Sequence, residues 1–92
     1  MPRDARDVAS SLASKGFRER PGHHRFFHLH VAGKKTRIWT KTSHGCREIH
    51  DGLLSAMARQ LRLAKREFHD LLECPLSAEE YVRKLRDRGE VE

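Results

Sequence analysis

The sequence predicts a small α+β domain, a three-stranded antiparallel sheet covered by helices in the order α-β-β-β-α, with extra C-terminal helices. Three observations predict it. An apolar stripe at helical spacing precedes Gly16, two alternating segments flank Ala32-Gly33, and helical stripes return after Asp51. At 92 residues the chain fits one domain with a modest core.

Asp4 is placed to cap a first helix that runs to Lys15, with Ala5, Val8, Ala9 and Leu12 on one face. Gly16 stops that helix, and Phe17 begins an extended segment ending at the turn residues Pro21 and Gly22. His24 to Val31 and Lys34 to Thr42 follow as a hairpin around Ala32-Gly33. In the first of these strands Arg25, Phe27, Leu29 and Val31 alternate with His24, Phe26, His28 and His30. In the second, Thr36, Ile38 and Thr40 alternate with Arg37, Trp39 and Lys41. The more aliphatic faces are expected to cover the core. The other faces then form a surface of imidazoles, aromatic rings and cations.

A helix from Asp51 to Leu61 presents Leu53, Leu54, Met57, Ala58 and Leu61 on one side. A shorter one, Lys65 to Leu72, offers Phe68, Leu71 and Leu72 behind Ala64, a poor capping residue. Ser77-Ala78-Glu79-Glu80 is a capping box, opening a last helix that carries Tyr81, Val82 and Leu85 and stops at Gly89.

The charge balance narrows the partners. Nineteen Lys and Arg against thirteen Asp and Glu give a formal net charge of +6. That suits an anionic partner, nucleic acid or an acidic protein surface. Cys46 and Cys74 form no CxxC and no metal quartet, so they read as reduced thiols rather than a disulfide. No apolar run approaches the roughly 20 residues of a membrane span, and the N-terminus lacks a signal peptide's apolar segment. A cytoplasmic protein with no membrane association is expected.

The stretch GHHRFFHLH, residues 22–30, holds four of the seven histidines. No CxxC or HExxH accompanies them, so no metal site and no cofactor are expected. Nucleophilic catalysis finds little support. Ser10, Ser11 and Ser14 fall in a helix, Ser43 in a loop, and there is no GxSxG. Cys46 has His44 two residues before it, which reads as an ordinary loop thiol beside a histidine.

The basic, aromatic sheet face says more. RNA-binding surfaces combine cations for phosphates with rings on which bases stack. Lys34, Lys35, Arg37 and Lys41 are candidates for phosphates, and Phe26 and Trp39 for stacking, with His23 and His28 beside them. The same exposed rings would equally suit a protein interface. Histidine adds chemistry. Metal-free RNA cleavage needs a base for the 2′-hydroxyl and an acid for the leaving 5′-oxygen, and imidazole serves as either near neutral pH. A base must be unprotonated, so such activity would fall below about pH 6.5, the ordinary imidazole pKa.

Residues 6–45 and 48–61 contain Lys15-Gly16-Phe17 at the end of the first helix, Gly22-His23-His24 opening a strand, and Gly52-Leu53-Leu54 opening the next helix. In this order and spacing the chain resembles the HicA toxin family. The resemblance implies a double-stranded-RNA-binding-like fold and a metal-independent ribonuclease that cleaves mRNA. It also implies a HicB-like antitoxin protein as partner. The family's catalytic histidine falls on His24, and its GSH serine is replaced by His23. The sequence thus divides into a HicA-like unit, 1–63, and a C-terminal helical extension, 64–92, packed on the same domain. Two other readings stay open: a non-catalytic RNA-binding module, and an inactive relative that serves as a protein-interaction domain.

Overall fold

Ala32 and Gly33 both take positive φ, 53° and 79°, so the chain reverses in two residues. This turn geometry matches the twist of the strands it joins. The hairpin it closes supplies two of the three strands of the main sheet. In this computed structural model, which describes residues 3–20, 22, 24–43, 45, 47–73 and 75–91, strand β3 (His24–Val31) pairs antiparallel with β4 (Lys34–Ser43). Three elements precede them: β1 (Arg3–Asp4), α1 (Ala5–Ser14) and β2 (Phe17–Arg20). Four follow: β5 (Glu48–Ile49), α2 (Asp51–Gln60), α3 (Lys65–Glu73) and α4 (Ala78–Asp87). The main sheet has the order β2-β3-β4, and β1 pairs with β5 in a separate two-residue ladder. The result is an α+β domain with a three-stranded antiparallel sheet and four helices among the described residues. The two-residue strands β1 and β5 are too short to carry a sequence pattern. Ser43, expected in a loop, is the last residue of β4.

Local chemistry explains the helix ends. Asp4 accepts from the Arg6 amide at 2.8 Å, as its capping position anticipates. Gly16, φ 97°, turns the chain from α1 into β2 and its carbonyl accepts from His30 N. The Ser77 hydroxyl accepts from Glu80 N, and the Glu80 side chain reaches back to Ser77, completing the capping box. Two caps carried no sequence signal. His50 caps α2 with Nδ1 accepting from Leu53 N at 3.1 Å. Ala64 cannot cap α3 with its methyl, so Glu67 does the reverse half of a box, accepting from Ala64 N at 2.9 Å.

The β3/β4 ladder has one irregularity. Between the pairs His28–Trp39 and His30–Lys35, Leu29 faces three residues of β4, Thr36, Arg37 and Ile38. The Thr36 hydroxyl fills the break, donating to Leu29 O at 2.8 Å and accepting from Ile38 N at 3.2 Å. Two extra residues preserve the parity of the strand, so its inside and outside faces are not exchanged.

Phe27, Leu29 and Ile38 are buried on the inner face. They share one core with Val8 and Leu12 of α1 and Leu54 and Met57 of α2. Phe68, Leu71, Tyr81 and Leu85 belong to the same cluster, so the core draws on residues from both sides of the boundary at 63. Tyr81 stacks on Phe17 at 6.0 Å and donates its hydroxyl to Leu61 O at 2.9 Å. Burial pushes its phenol well above the ordinary range, so it stays a donor. Buried Lys15 is satisfied by donating from Nζ to Leu76 O. No helix among the described residues is long and apolar enough to cross a membrane.

Candidate nucleic-acid interface

The sheet register places side chains in rows across the outer face. One row runs Arg20, Phe26, Lys41 from β2 through β3 to β4. The next runs Arg18, His28, Trp39. Beyond the bulge His30 faces Lys35. Strands β2, β3 and β4 thus contribute Arg18, Arg20, Lys35, Arg37 and Lys41 to this face and no Asp or Glu. Arg18, Arg20, Lys35 and Lys41 form no ion pair among the described residues.

Between the cations the rings form a continuous ladder. His24 meets Phe26 edge-on at 6.1 Å, Phe26 lies 5.9 Å from Trp39, and Trp39 stacks on His28 at 6.0 Å. The Arg20 guanidinium sits over the Phe26 ring, 5.3 Å from its centroid. Trp39 is the one large hydrophobic among the described residues that is exposed, at 39%. A ring ladder edged by cations offers bases a stacking surface and phosphates a charged margin.

His24 opens β3 at the margin of this face, opposite Ser43 and one row from Arg20 and Lys41. Its ring meets that of Phe26, and no hydrogen bond orients its imidazole among the described residues. His28 is different. It is 9% exposed, and its pKa is lowered first by burial and then by the charges of Lys35, Arg20 and His30. It is therefore a neutral ring near pH 7, fit to stack or to hydrogen-bond. The His28 carbonyl accepts from His30 Nδ1 at 3.1 Å.

The structure brings together most of the residues singled out in the sequence. His24, Phe26, His28, Lys35, Arg37, Trp39 and Lys41 share the outer face. Lys34 does not join them, because it pairs with Val31 and falls on the opposite side of the hairpin end. Arg37 is drawn toward the C-terminal segment, with Nε on the Glu90 carbonyl at 3.3 Å and a guanidinium nitrogen 3.8 Å from its carboxylate. His23 lies outside the described residues, as do Pro21, His44, Cys46 and Cys74. Arg18 and Arg20 were missed in the sequence. The four-residue pattern of β2 alternates too briefly to assign a face, although the FRER string holds the cations in alternate positions. No three His, Cys, Asp or Glu side chains among the described residues converge as a metal site.

No family model, no curated protein and no solved structure matches this chain. The interface is therefore judged on its chemistry.

Proposed function

We propose that this protein is a histidine-dependent endoribonuclease of the HicA type, the toxin of a toxin–antitoxin pair acting on mRNA in the cytoplasm. The observation that carries the reading is the ladder His24, Phe26, Trp39, His28 lying between the cations of β2 and those of β4. With the two-residue β1 and β5 set aside, the order α1-β2-β3-β4-α2 is compatible with the double-stranded-RNA-binding-like fold that the resemblance implies, which supports the reading. A HicB-like antitoxin would neutralise the toxin by covering the same outer face.

In this reading a strand of RNA lies across the sheet with bases on Phe26 and Trp39. His24 at the margin accepts the 2′-hydroxyl proton as that oxygen attacks the phosphorus, and an imidazolium returns a proton to the departing 5′-oxygen. Arg20 and Lys41, one row away, offset the charge that builds on the phosphorane oxygens.

A second reading is favoured by one observation, the absence among described residues of a hydrogen bond that fixes the His24 ring. A general base is commonly oriented by a third group. Without one, the same face would serve as a non-catalytic RNA-binding module. One experiment separates the two. Wild type and His24→Ala are incubated with an unstructured RNA in EDTA, and cleavage and binding are followed together. The toxin reading expects cleavage by wild type and a loss of about a hundred- to ten-thousand-fold in His24→Ala, with binding retained. Binding without cleavage by wild type selects the module. Undiminished cleavage by His24→Ala removes His24 from the mechanism, and cleavage abolished by EDTA would require a metal.

A further inference from the structure

A groove of about 450 Å³ lies where the β3/β4 hairpin end meets α4, away from the ring ladder. Val31, Ala32, Ala78 and Val82 give it an aliphatic lining. His30, Arg83 and Arg86 stand around it, with Glu79 the acidic residue there. Phe, Tyr and Trp are absent from its lining, in contrast to the sheet face.

We propose that this groove docks a short segment of a partner protein in which an aliphatic side chain stands beside Asp or Glu. Three features point to that occupant. The lining suits a branched aliphatic side chain and offers no aromatic platform for a base, so nucleic acid has little to stack on. The charge around it is complementary to carboxylates, and Arg83 has no ion pair among the described residues. The third is the turn itself. Ala32 holds φ 53°, a conformation that favours Gly, Asn or Asp over alanine. An alanine there spends backbone comfort to present a methyl group to the groove.

The groove borders the core, with Val31 packed against it. Helix α4 turns Tyr81 and Leu85 into the core, while half-buried Val82 and exposed Arg83 and Arg86 belong to the groove. Since no ring of the ladder lines the groove, and His30 alone of the outer face borders it, the partner segment and RNA would bind together. The proposal stands whether or not the outer face binds RNA.

The test uses the full chain, labelled with ¹⁵N, and an arrayed set of decapeptides that pair aliphatic residues with acidic, neutral or basic ones. The acidic set should be retained, and titration with it should shift the amide resonances of Val31, Ala32 and Val82 while leaving Phe26 and Trp39 in place. Arg83→Glu combined with Arg86→Glu should weaken binding at least tenfold. Ala32→Asn suits the turn backbone, so it should keep the fold and still weaken binding. A single-stranded RNA 20-mer is the competing probe. Retention of no peptide set, no preference for acid, indifference to both variants, or shifts of the groove resonances by the RNA would each overturn the proposal.

Discussion

The imidazole of His28 stacks on the indole of Trp39 across strands β3 and β4, with centroids 6.0 Å apart and planes 25° from parallel. His28 is nearly buried and Trp39 is 39% exposed, so the imidazole serves as the inner layer of a two-ring platform. Base stacking on such a ring contributes about 1–3 kcal/mol. Trp39→Ala should therefore weaken binding of single-stranded RNA by roughly five- to 150-fold in an anisotropy titration. Trp39→Phe should keep most of the affinity. If Trp39→Ala binds as tightly as wild type, the ladder is not the stacking surface.

The two rows of cations lead to a salt prediction. Each phosphate neutralised on a single strand adds about 0.7 to the slope of log affinity against log salt. Replacing Arg20 and Lys41, which flank Phe26, with alanine should thus reduce the slope by about 1.4. Lys34→Ala, on the other side of the hairpin, should leave it almost unchanged. A Lys34→Ala slope as flat as that of the double variant would place the RNA on the wrong face.

The N-terminal strand is fastened by a pH-sensitive contact. Arg3 Nε donates to His69 Nδ1 at 2.9 Å, which requires that nitrogen to be unprotonated. Burial, then the charge of Arg3, holds the His69 pKa below its ordinary value. The unfolded chain takes up this proton first, as pH falls through about 6.5. The stability is fully present above that pH and is lost as pH falls toward the lowered native value. His28 has the same sign. Melting temperatures recorded from pH 8 to 5 should decline below about 6.5, and less so in His69→Gln. A profile that is flat or rises on acidification would contradict the Arg3–His69 contact.

The C-terminal helix is a structural part of the domain. Leu85 is fully buried in the common core, and Leu85→Ala should cost about 2–5 kcal/mol in chemical denaturation. Tyr81→Phe removes the donor to Leu61 O and should cost about 0.5–1.5 kcal/mol. A chain shortened at Pro75 should melt lower or self-associate, because Phe17 loses its partner Tyr81. Neutral effects in all three would mean that α4 is not docked in solution.

Glu67 shows how a capping residue became a tertiary one. Besides accepting from Ala64 N, its carboxylate binds Arg88 at 3.0 Å and Lys84 at 3.2 Å, joining the start of α3 to the end of α4. The Ala64 amide first, then these cations, lower its pKa. Ala64 itself is a poor cap; the Glu67 carboxylate three residues on supplies the missing acceptor, and its other partners lie 17 and 21 residues away.

What the sequence determined by itself was periodic or local. Alternation in His24–Val31 sorted Phe27 and Leu29 from Phe26 and His28, and the pleat of a strand puts the first pair in the core, while His28 is covered on the outer face against Trp39. The Ala32-Gly33 turn, the Asp4 cap and the Ser77–Glu80 box need only neighbours within four residues, so they were legible without a fold. Tertiary structure decided whatever depends on register between strands or on distant partners. Pairing with β3 put Arg18 and Arg20 beside the rings, and the Val31–Lys34 pairing took Lys34 away from them. Glu90 claimed Arg37 from 53 residues along the chain, and Arg3 found His69 across 66. The interface was thus visible as a composition but not as an arrangement: a strand's period fixes which side chains share its face, while hydrogen bonding to the next strand fixes which face they join.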